Sequence, residues 1–502
     1  MINVLFVGAL AASFEIENDN RYYTNEYNIY LNDKLIRTSN TNVFSLYDLN
    51  PNTSYKVRIN SNEIDYSIEF KTLNHNLVYF NSNEINSTKD LQDVINNMNS
   101  NDVLVIDGQY NITSVFLKDN INIYLTKNAK LIGDNNRLNF PILKASEYLN
   151  GKPLGTWEGK AEDSFSSIIT GLGVNNVTIY GEGVIDCDAA NGDWWINHRV
   201  LRIARRPKGI FLHTCNNITI EGITVCNTPS WNQHPFYSNH LRYIDLKLIN
   251  PPNSPTTDGL DPESCDDVLI VGAKISVGDD CIAIKSGKID FARKYRTPSS
   301  NIVIRNCLME RGHGGVTLGS ENSGGINNVV VTKCLFKDTD RGLRIKTQRS
   351  RGNLSILENI TFDNIVMEEV KAPFVINAFY KAGNDTIDYR FDRNYHNKTD
   401  ETPELKSFKF ENIYCYNVAY GLGYFLGLPE AKIEEIVLDN IFVSYDLNAK
   451  PGVMAMTLEN EEYSRIGIYA SNVHKLKLNN IHYDNEPSIK LIKNNVDEVE
   501  VC

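Results

Sequence analysis

Cysteine is sparse in this chain, and none of its nine cysteines forms a CxxC pair. Closely spaced cysteines mark structural zinc sites and small disulfide-bonded domains, so neither is expected to organise this protein. The cysteines are spread over residues 187–502 as Cys187, Cys215, Cys226, Cys265, Cys281, Cys307, Cys334, Cys415 and Cys502. We therefore expect buried, reduced thiols, because free cysteine is among the most buried residue types.

The sequence also lacks an apolar run that is long enough to cross a bilayer. The short apolar run at residues 4–12 has no basic segment before it, and it continues into strand-like alternation at residues 14–17. From this pattern we expect no membrane partner and a cytoplasmic location, or a secreted protein if a leader precedes the given start.

Positive charge is in deficit, with 50 Lys and Arg against 62 Asp and Glu and a formal net charge of -12. This balance argues against nucleic acid as a partner, because phosphate backbones attract basic surfaces. An anionic ligand would need a local basic patch on this acidic chain.

Two regions differ in pattern. Residues 1–74 contain short alternating strands, and the stretch at 49–59 places a Pro turn before Tyr55 and an alternating strand. This arrangement resembles the tyrosine corner of fibronectin type III domains, so we interpret 1–74 as a small fibronectin-III-like β-sandwich that serves as a spacer or packing module. After it, Thr88 is predicted to cap a short amphipathic helix that runs to Met98.

Residues 75–502 form the second region, and past residue 100 they repeat a short unit with small variations: an Asn, then apolar residues that alternate with others, then a Gly or Asn. Examples are the stretches at 177–181, 218–222, 268–272, 302–306 and 329–333. The period of 2 indicates strands, and one such strand cannot bury its apolar face unless coils stack on each other. The expected fold class is therefore all-β, with a right-handed parallel β-helix after the sandwich. Cys307 and Cys334 occupy the same place in successive units and should stack inside it.

Four polar segments lie in the middle coils. They are the stretches at 256–264, 278–287, 312–315 and 344–346. Asp258 precedes Asp279 by 21 residues, about one coil, so the carboxylates of Asp258, Asp279 and Asp280 should meet. Like charges this close shift each other's pKa values, and glycoside hydrolysis needs one protonated and one ionised carboxyl group. For Asp261, Asp266 and Asp267 we expect ordinary turn-capping roles instead.

A basic strip accompanies these carboxylates. Arg344 and Lys346 are two residues apart in a strand and so share a face, where they could hold a substrate carboxylate, pair with the aspartates, or do both. Residues 311–351 contain eight Lys or Arg and three Asp or Glu. His313 lies between glycines that permit close approach of a ligand, and we interpret it as a functional partner. A uronic acid polymer is the substrate that this charge pattern favours.

Together these segments resemble glycoside hydrolase family 28, the polygalacturonases. The family motifs Asn-Thr-Asp, Gly or Gln then Asp-Asp, Gly-His-Gly and Arg-Ile-Lys have counterparts here in the same order, over about residues 75–490. One departure is Thr256, where the family usually has Asn. The segment at 229–235, which contains His234, also looks like a groove segment of the family.

The resemblance implies roles for these residues and a chemistry without metal or other cofactor. Asp279 would be the general acid, Asp258 and Asp280 would position and activate water, and the anomeric carbon would invert. His313 would tune the acid, and a galacturonate carboxylate would be bound by Arg344 and Lys346, with His234 and Tyr380 as further substrate contacts.

The implied reaction is hydrolysis of α-1,4-galacturonosidic bonds in polygalacturonate or oligogalacturonides. A fibronectin-III-like domain in front resembles the exo-acting bacterial branch of the family, and inserts at about 141–165, 188–208, 288–300 and 380–405 could close one end of the groove. The alternatives are an endo-polygalacturonase and a hydrolase of rhamnogalacturonan or xylogalacturonan. A pectate lyase or a non-catalytic carbohydrate-binding β-helix would be a different class of protein.

Overall fold

The N-terminal region consists of two antiparallel sheets. The computed structural model describes residues 1–382 and 385–501 of the chain. A three-stranded sheet comprises Ile2–Val7, Ala12–Ile16 and Val43–Leu46, and a four-stranded sheet comprises Tyr23–Leu31, Lys34–Thr41, Ser54–Asn60 and Asp65–Lys71. Phe14 and Phe44 stack at 5.3 Å in the core between them. The hydroxyl of Tyr55 accepts a hydrogen bond from the backbone N–H of Asn50 at 2.9 Å, as a tyrosine corner requires.

The rest of the chain winds into a parallel β-helix, as the repeat predicted, with three parallel sheets along its length. Sheet A comprises Leu77–Phe80, Val103–Ile106, Asn122–Leu125, Asn175–Gly181, Asn216–Glu221, Asn239–Ile244, Asp266–Val271, Ser299–Arg305 and Ile326–Thr332. Sheet B comprises Gln109–Ile112, Lys130–Gly133, Val184–Asp186, Thr224–Cys226, Lys247–Ile249, Lys274–Ser276, Leu308–Glu310 and Leu335–Lys337.

Sheet C carries the polar segments. It comprises Val115–Phe116, Ile169–Leu172, Ile210–His213, Gln233–Phe236, Ile282–Ile284, Val316–Gly319, Arg341–Lys346, Ala372–Asn377 and Gly421–Leu426. In the last coils, long strands pass from one sheet to the next as Ile356–Glu368, Ser407–Val418, Ile433–Tyr445, Ile466–Tyr483 and Leu491–Val501. The short strand Glu404–Leu405 pairs with the start of the first of these.

Asparagines at the corners of the coils explain the repeat. Asn301, Asn328 and Asn359 precede sheet A residues in three successive coils, each with a φ between 54° and 55°. Their side-chain amides bond in a ladder, with Asn328 donating to Asn301 at 3.2 Å and Asn359 donating to Asn328 at 3.1 Å. Asparagine tolerates this left-handed conformation and links neighbouring coils.

The interior of the β-helix is apolar throughout its length. Cys307 and Cys334 have no solvent exposure and lie in neighbouring coils, as predicted. The eight cysteines of the described residues are free thiols. Stacking of the coils therefore buries the apolar side chains that each strand alone would leave exposed.

Few helices interrupt the strands. The α-helices are Thr88–Asn97 and Ile289–Tyr295, and short 3-10 turns occur at Arg137–Asn139, Ala189–Asn191 and Tyr389–Phe391. Thr88 is the first helical residue rather than the cap, which is Ser87. Four small antiparallel hairpins pair Ile142–Leu143 with Ser164–Phe165, Tyr148–Leu149 with Lys152–Pro153, Thr156–Trp157 with Lys160–Ala161, and Gly452–Val453 with Glu462–Tyr463. Across residues 1–382 and 385–501, neither α-helix has the length and apolar character needed to cross a membrane.

The N-terminal sheets pack on the outside of the β-helix through buried polar contacts. Glu15 pairs with Arg305 at 2.9 Å and accepts a hydrogen bond from Asn306 at 2.7 Å. Ser13 donates to Glu221 of sheet A at 2.7 Å. Charged hydrogen bonds of this kind fix orientation as well as contact.

Candidate active site

The polar segments converge because sheet C holds them in register. Leu260 bridges to Ile282, Ile282 pairs with Val316, and Val316 pairs with Leu343. Asp258, Asp280 and Gly314 therefore occupy equivalent positions, two residues before these strand residues in three successive coils. Coils stack at about 4.8 Å, so side chains from neighbouring coils meet directly.

The three predicted carboxylates form one cluster. One oxygen from each of Asp258, Asp279 and Asp280 lies within 4.8 Å of the other two. Their exposures differ, since the side chain of Asp279 is 26% exposed, that of Asp258 is 6% exposed and that of Asp280 is fully buried. Asp279 is thus the carboxyl group that a bound ligand can touch most readily.

Asp280 is clamped by two cations. Lys346 lies 2.6 Å from one carboxylate oxygen, and Arg344 lies 3.0 Å from the other. Burial raises the pKa of Asp280, but the charges of Lys346 and Arg344 outweigh it and hold the pKa well below its usual value. Asp280 is therefore ionised, and both its oxygens are occupied. Of the two expectations for Arg344 and Lys346, pairing with an aspartate is confirmed.

Asp258 has the opposite environment. Its nearest cation is Lys285 at 3.7 Å, and Lys285 also lies 3.4 Å from Asp261 and 3.3 Å from Glu321. Burial and the nearby charge of Asp279 raise the pKa of Asp258 to about 7. Of the three carboxyl groups, Asp258 is therefore the one that most readily holds a proton, and it is partly protonated near neutral pH.

Asp279 is paired with His313, as predicted. The imidazole Nδ1 lies 3.3 Å from a carboxylate oxygen of Asp279, and the backbone N–H of His313 donates to the Asp279 carbonyl at 2.9 Å. The hydrogen bond to Asp279 raises the pKa of His313. Burial raises the pKa of Asp279, but the hydrogen bond from His313 outweighs it and leaves that pKa below its usual value. The role of general acid, which the resemblance implies for Asp279, stays a prediction, and it requires that Asp279 gain a proton before it acts.

The cluster lies in a cavity of about 810 Å³. Ten cations line it, namely Lys160, Arg199, Arg205, Arg206, Lys285, Lys288, Arg344, Lys346, Arg351 and Arg390. Seven carboxylates line it, namely Glu158, Glu162, Asp258, Asp279, Asp290, Glu321 and Asp385. An acidic chain has thus concentrated positive charge here, which favours an anionic ligand.

All four predicted inserts contribute to the wall of this cavity. Trp157 comes from the first, Arg206 from the second, Lys288 from the third and Tyr380 from the fourth. The Lys346 ammonium lies 5.6 Å from the centre of the Tyr380 ring. Tyr380 therefore lines the cavity beside Lys346, and its contact with substrate stays a prediction.

His234 is not brought to the cavity, so this part of the site prediction needs correction. Its side chain is fully buried, and Nε2 lies 2.9 Å from Glu263, also buried. Burial, together with the charges of Lys208 and Lys285, lowers the pKa of His234 well below its usual value. Trp231, which precedes it by three residues, lines the cavity instead.

Asp261 does not cap a turn, in contrast to the sequence interpretation. It has no solvent exposure, and among the described residues neither carboxylate oxygen has a hydrogen-bond partner. Burial and the neighbouring Asp258 raise its pKa well above the usual value. The alternation of side chains along the strand explains the placement. Leu260 bridges to Ile282 in sheet C and points into the β-helix, so the next residue, Asp261, points to the opposite side.

Thr256, the departure from the family pattern, is held by an insert. Its φ is 52°, an uncommon conformation for a β-branched residue. Arg206 donates to the Thr256 hydroxyl and, at 3.1 Å, to the Pro255 carbonyl. This contact anchors the backbone two residues before Asp258.

The three carboxylates are also the group in the described chain that could ligate a metal ion. Lys346 and Arg344 already occupy the oxygens of Asp280, and Lys285 lies near Asp258. Positively charged side chains thus already balance the charge of two of these carboxylates, as a bound metal ion would otherwise do.

Sequence reasoning missed Lys285, Glu321, Arg351 and Arg206. Lys285 had a usable signal, since it lies in the second polar segment and shares a strand face with Ala283, two coils from Arg344 and Lys346. The others lie in loops, whose path no periodicity encodes.

The profile of the glycosyl hydrolases family 28 matches residues 134–393, which include every polar segment of the site. A "Probable polygalacturonase" from Vitis vinifera is 29% identical over 350 residues, 68% of this chain and 66% of its own length. An "Endo-polygalacturonase" from Pectobacterium parmentieri is 29% identical over 320 residues, 60% of this chain and 74% of its own length. The chain thus spans slightly under two thirds of the Vitis relative.

Among solved structures, the family 28 exopolygalacturonase of Yersinia enterocolitica has a TM-score of 0.70 and 16% identity. The match covers 100% of this chain and 98% of that one. At this identity the likeness concerns the fold, including the N-terminal sheets.

Proposed function

The chain belongs to the glycosyl hydrolases family 28, and on that premise we propose that it hydrolyses α-1,4-galacturonosidic bonds in polygalacturonate or its oligosaccharides. The observation that carries the proposal is the cluster of Asp258, Asp279 and Asp280 in a cavity that is rich in Lys and Arg. Carboxylates supply the acid and base, and the surrounding cations explain why the substrate should be a uronate.

In the proposed reaction, Asp279 protonates the glycosidic oxygen. It is the most exposed of the three carboxyl groups, and His313 at 3.3 Å can relay a proton to it. Asp258 and Asp280 would hold and activate the attacking water. Because Asp258 holds a proton more readily than Asp279, a proton would pass from Asp258 to Asp279 when the substrate binds.

We further propose that the anomeric carbon inverts. Inverting enzymes usually separate their carboxyl groups by about 6.5–9.5 Å, and retaining enzymes by about 5–5.5 Å. The closest oxygens here lie within 4.8 Å, nearer to the retaining spacing. A retaining path needs a free carboxylate nucleophile, however, and Asp280 is fully buried with both oxygens paired. Asp258 is only 6% exposed, and in the proposed reaction it activates the water, which leaves that water as the nucleophile.

We propose exo action, with mono- or digalacturonate as product. The support is that all four inserts reach the cavity wall, so the groove is enclosed on several sides. An open groove would favour endo attack. Endo action is the alternative, because the Pectobacterium relative is named an endo-polygalacturonase. A rhamnogalacturonan or xylogalacturonan hydrolase, a calcium-dependent lyase and a non-catalytic binding protein remain as outcomes of the test.

The test is product analysis on oligogalacturonides of defined length, with the anomeric configuration followed by NMR. Exo action predicts that reducing ends appear while the viscosity of polygalacturonate falls slowly, and inversion predicts the β-anomer first. A fast loss of viscosity would establish endo action, and the α-anomer would establish retention. Ultraviolet absorption of the products, abolished by a chelator, would indicate a lyase, and binding without products would indicate a binding protein.

A further inference from the structure

The unpaired positive charge of the cavity lies away from the motif residues. Arg344 and Lys346 share Asp280, so much of their charge is already neutralised. Arg351 is 8% exposed and lines the cavity, and among the described residues its guanidinium has neither an ion pair within 4.0 Å nor a hydrogen-bond acceptor. An arginine this buried and without a partner costs folding free energy, which a bound anion would offset.

A second cation accompanies Arg351. Lys288 is half-buried, lines the same cavity, and likewise has no ion pair within the described part of the chain. Glu321 is the central carboxylate of this region, and it is already paired with Lys285 at 3.3 Å. Burial raises the pKa of Glu321, but the charges of Lys285, Lys288 and Arg351 outweigh it and hold that pKa well below its usual value. Three cations thus surround one carboxylate.

The backbone fixes the position of Arg351. The N–H groups of Ser350 and Gly352 both donate to the carbonyl of Glu401, at 2.9 and 3.1 Å. Its neighbour Arg349 is committed to Glu430, at 2.6 and 3.0 Å. Arg349 therefore anchors the loop, while Arg351 is held in the cavity wall before any ligand arrives.

We propose that Arg351 and Lys288 form a second carboxylate subsite, which binds the uronate next to the one held near Arg344 and Lys346. This inference rests on the proposed function and deepens it, since the preferred ligand becomes one with two adjacent free uronate carboxylates. Ser320 and Ser350 also line the cavity. Methyl esterification of the second uronate removes the charge that this subsite recognises.

The experiment measures binding by calorimetry in an Asp279→Asn background, where digalacturonate is not consumed. Adding Arg351→Gln should weaken digalacturonate binding by about ten- to a hundredfold, the usual effect of losing a charged hydrogen bond. Arg351→Lys should restore part of the affinity, and digalacturonate that is methyl-esterified on the second uronate should bind equally with either residue. Lys294→Gln, an exposed change of equal charge outside the cavity lining, should have no effect.

Equal digalacturonate affinity with Arg351 and with Gln at this position would overturn the subsite. A thermal scan of each variant distinguishes this result from misfolding, and a loss of affinity shared by Lys294→Gln would show a general charge effect and equally overturn it. Turnover of polygalacturonate by the unsubstituted protein is measured in parallel. If that turnover is absent, the proposed function fails, whereas if it is present and Arg351→Gln changes nothing, the subsite alone fails.

Discussion

Asp258 is predicted to reduce the stability of the folded protein at neutral pH, and Asp258→Asn should relieve that cost. In the unfolded chain an Asp ionises with a pKa of about 3.9. In the folded protein, burial and the charge of Asp279 raise the pKa of Asp258 to about 7. Between these values the folded state binds more protons than the unfolded state, so stability falls as pH rises. Above pH 7 Asp258 is ionised in both the folded and the unfolded state, and the loss of stability is complete.

The size of the effect follows from the two pKa values. Their separation corresponds to about 4 kcal/mol above pH 7 and to almost nothing at pH 4. Asparagine has nearly the same shape and carries no charge. Lys285 keeps Asp261 at 3.4 Å and Glu321 at 3.3 Å, so the substitution leaves no unpaired buried cation. Unfolding entropy for a chain of this length is about 1 kcal/mol per degree, so the melting temperature should rise by about 4 °C at pH 8.

The assay compares melting temperatures of the variant and the unsubstituted protein from pH 4 to pH 8. The difference should grow between pH 4 and pH 7 and stay constant above pH 7. Glu434→Gln, an exposed carboxylate outside the described ion pairs, should show no such growth. A pH-independent difference, or a variant that is less stable at pH 8 than at pH 4 relative to its parent, would refute the assignment of the proton to Asp258.

Three further predictions concern the roles of single side chains. Asp279→Asn should lower turnover of polygalacturonate by about a thousandfold but spare a galacturonide with a nitrophenol leaving group, which needs no protonation; equal losses on both substrates would make Asp279 the base. Lys346→Met should weaken substrate binding and lower stability by about 3 kcal/mol, because Asp280 would keep only Arg344, and denaturant unfolding measures the loss. Glu15→Gln should cost about 1–3 kcal/mol in the same assay by weakening its bonds to Arg305 while leaving kcat unchanged.

The alternation of apolar residues predicted the β-helix, and the motif spacing predicted which carboxylates meet. Both succeed because coil stacking converts sequence distance into a fixed vertical distance, as Asp258 and Asp280 show. The corner asparagines, such as Asn328, were visible as the recurring residue of each repeat. A single sequence thus directly encodes which residues of the site lie above one another on stacked coils.

Prediction failed where burial decides the role. His234 and Trp231 belong to one short polar segment, and nothing in that segment tells which side chain reaches the cavity. Asp261 has the sequence context of a turn residue, yet it lies buried against Lys285. Arg351 lies in a loop whose position depends on hydrogen bonds to Glu401, more than forty residues away in sequence. Such tertiary contacts have no period and leave no local signal.

The same alternation specifies both the stability and the chemistry of sheet C. Leu343 and Ile345 point inward with no exposure, while Arg344 and Lys346, which alternate with them, point outward to Asp280. A slip of one residue would place two cations in the apolar core and two aliphatic side chains in the cavity. The stacked core therefore penalises misplacement of the charged residues by the full cost of burying unpaired charge. The rigidity that catalysis needs from this strand is thus enforced by the hydrophobic face opposite to it.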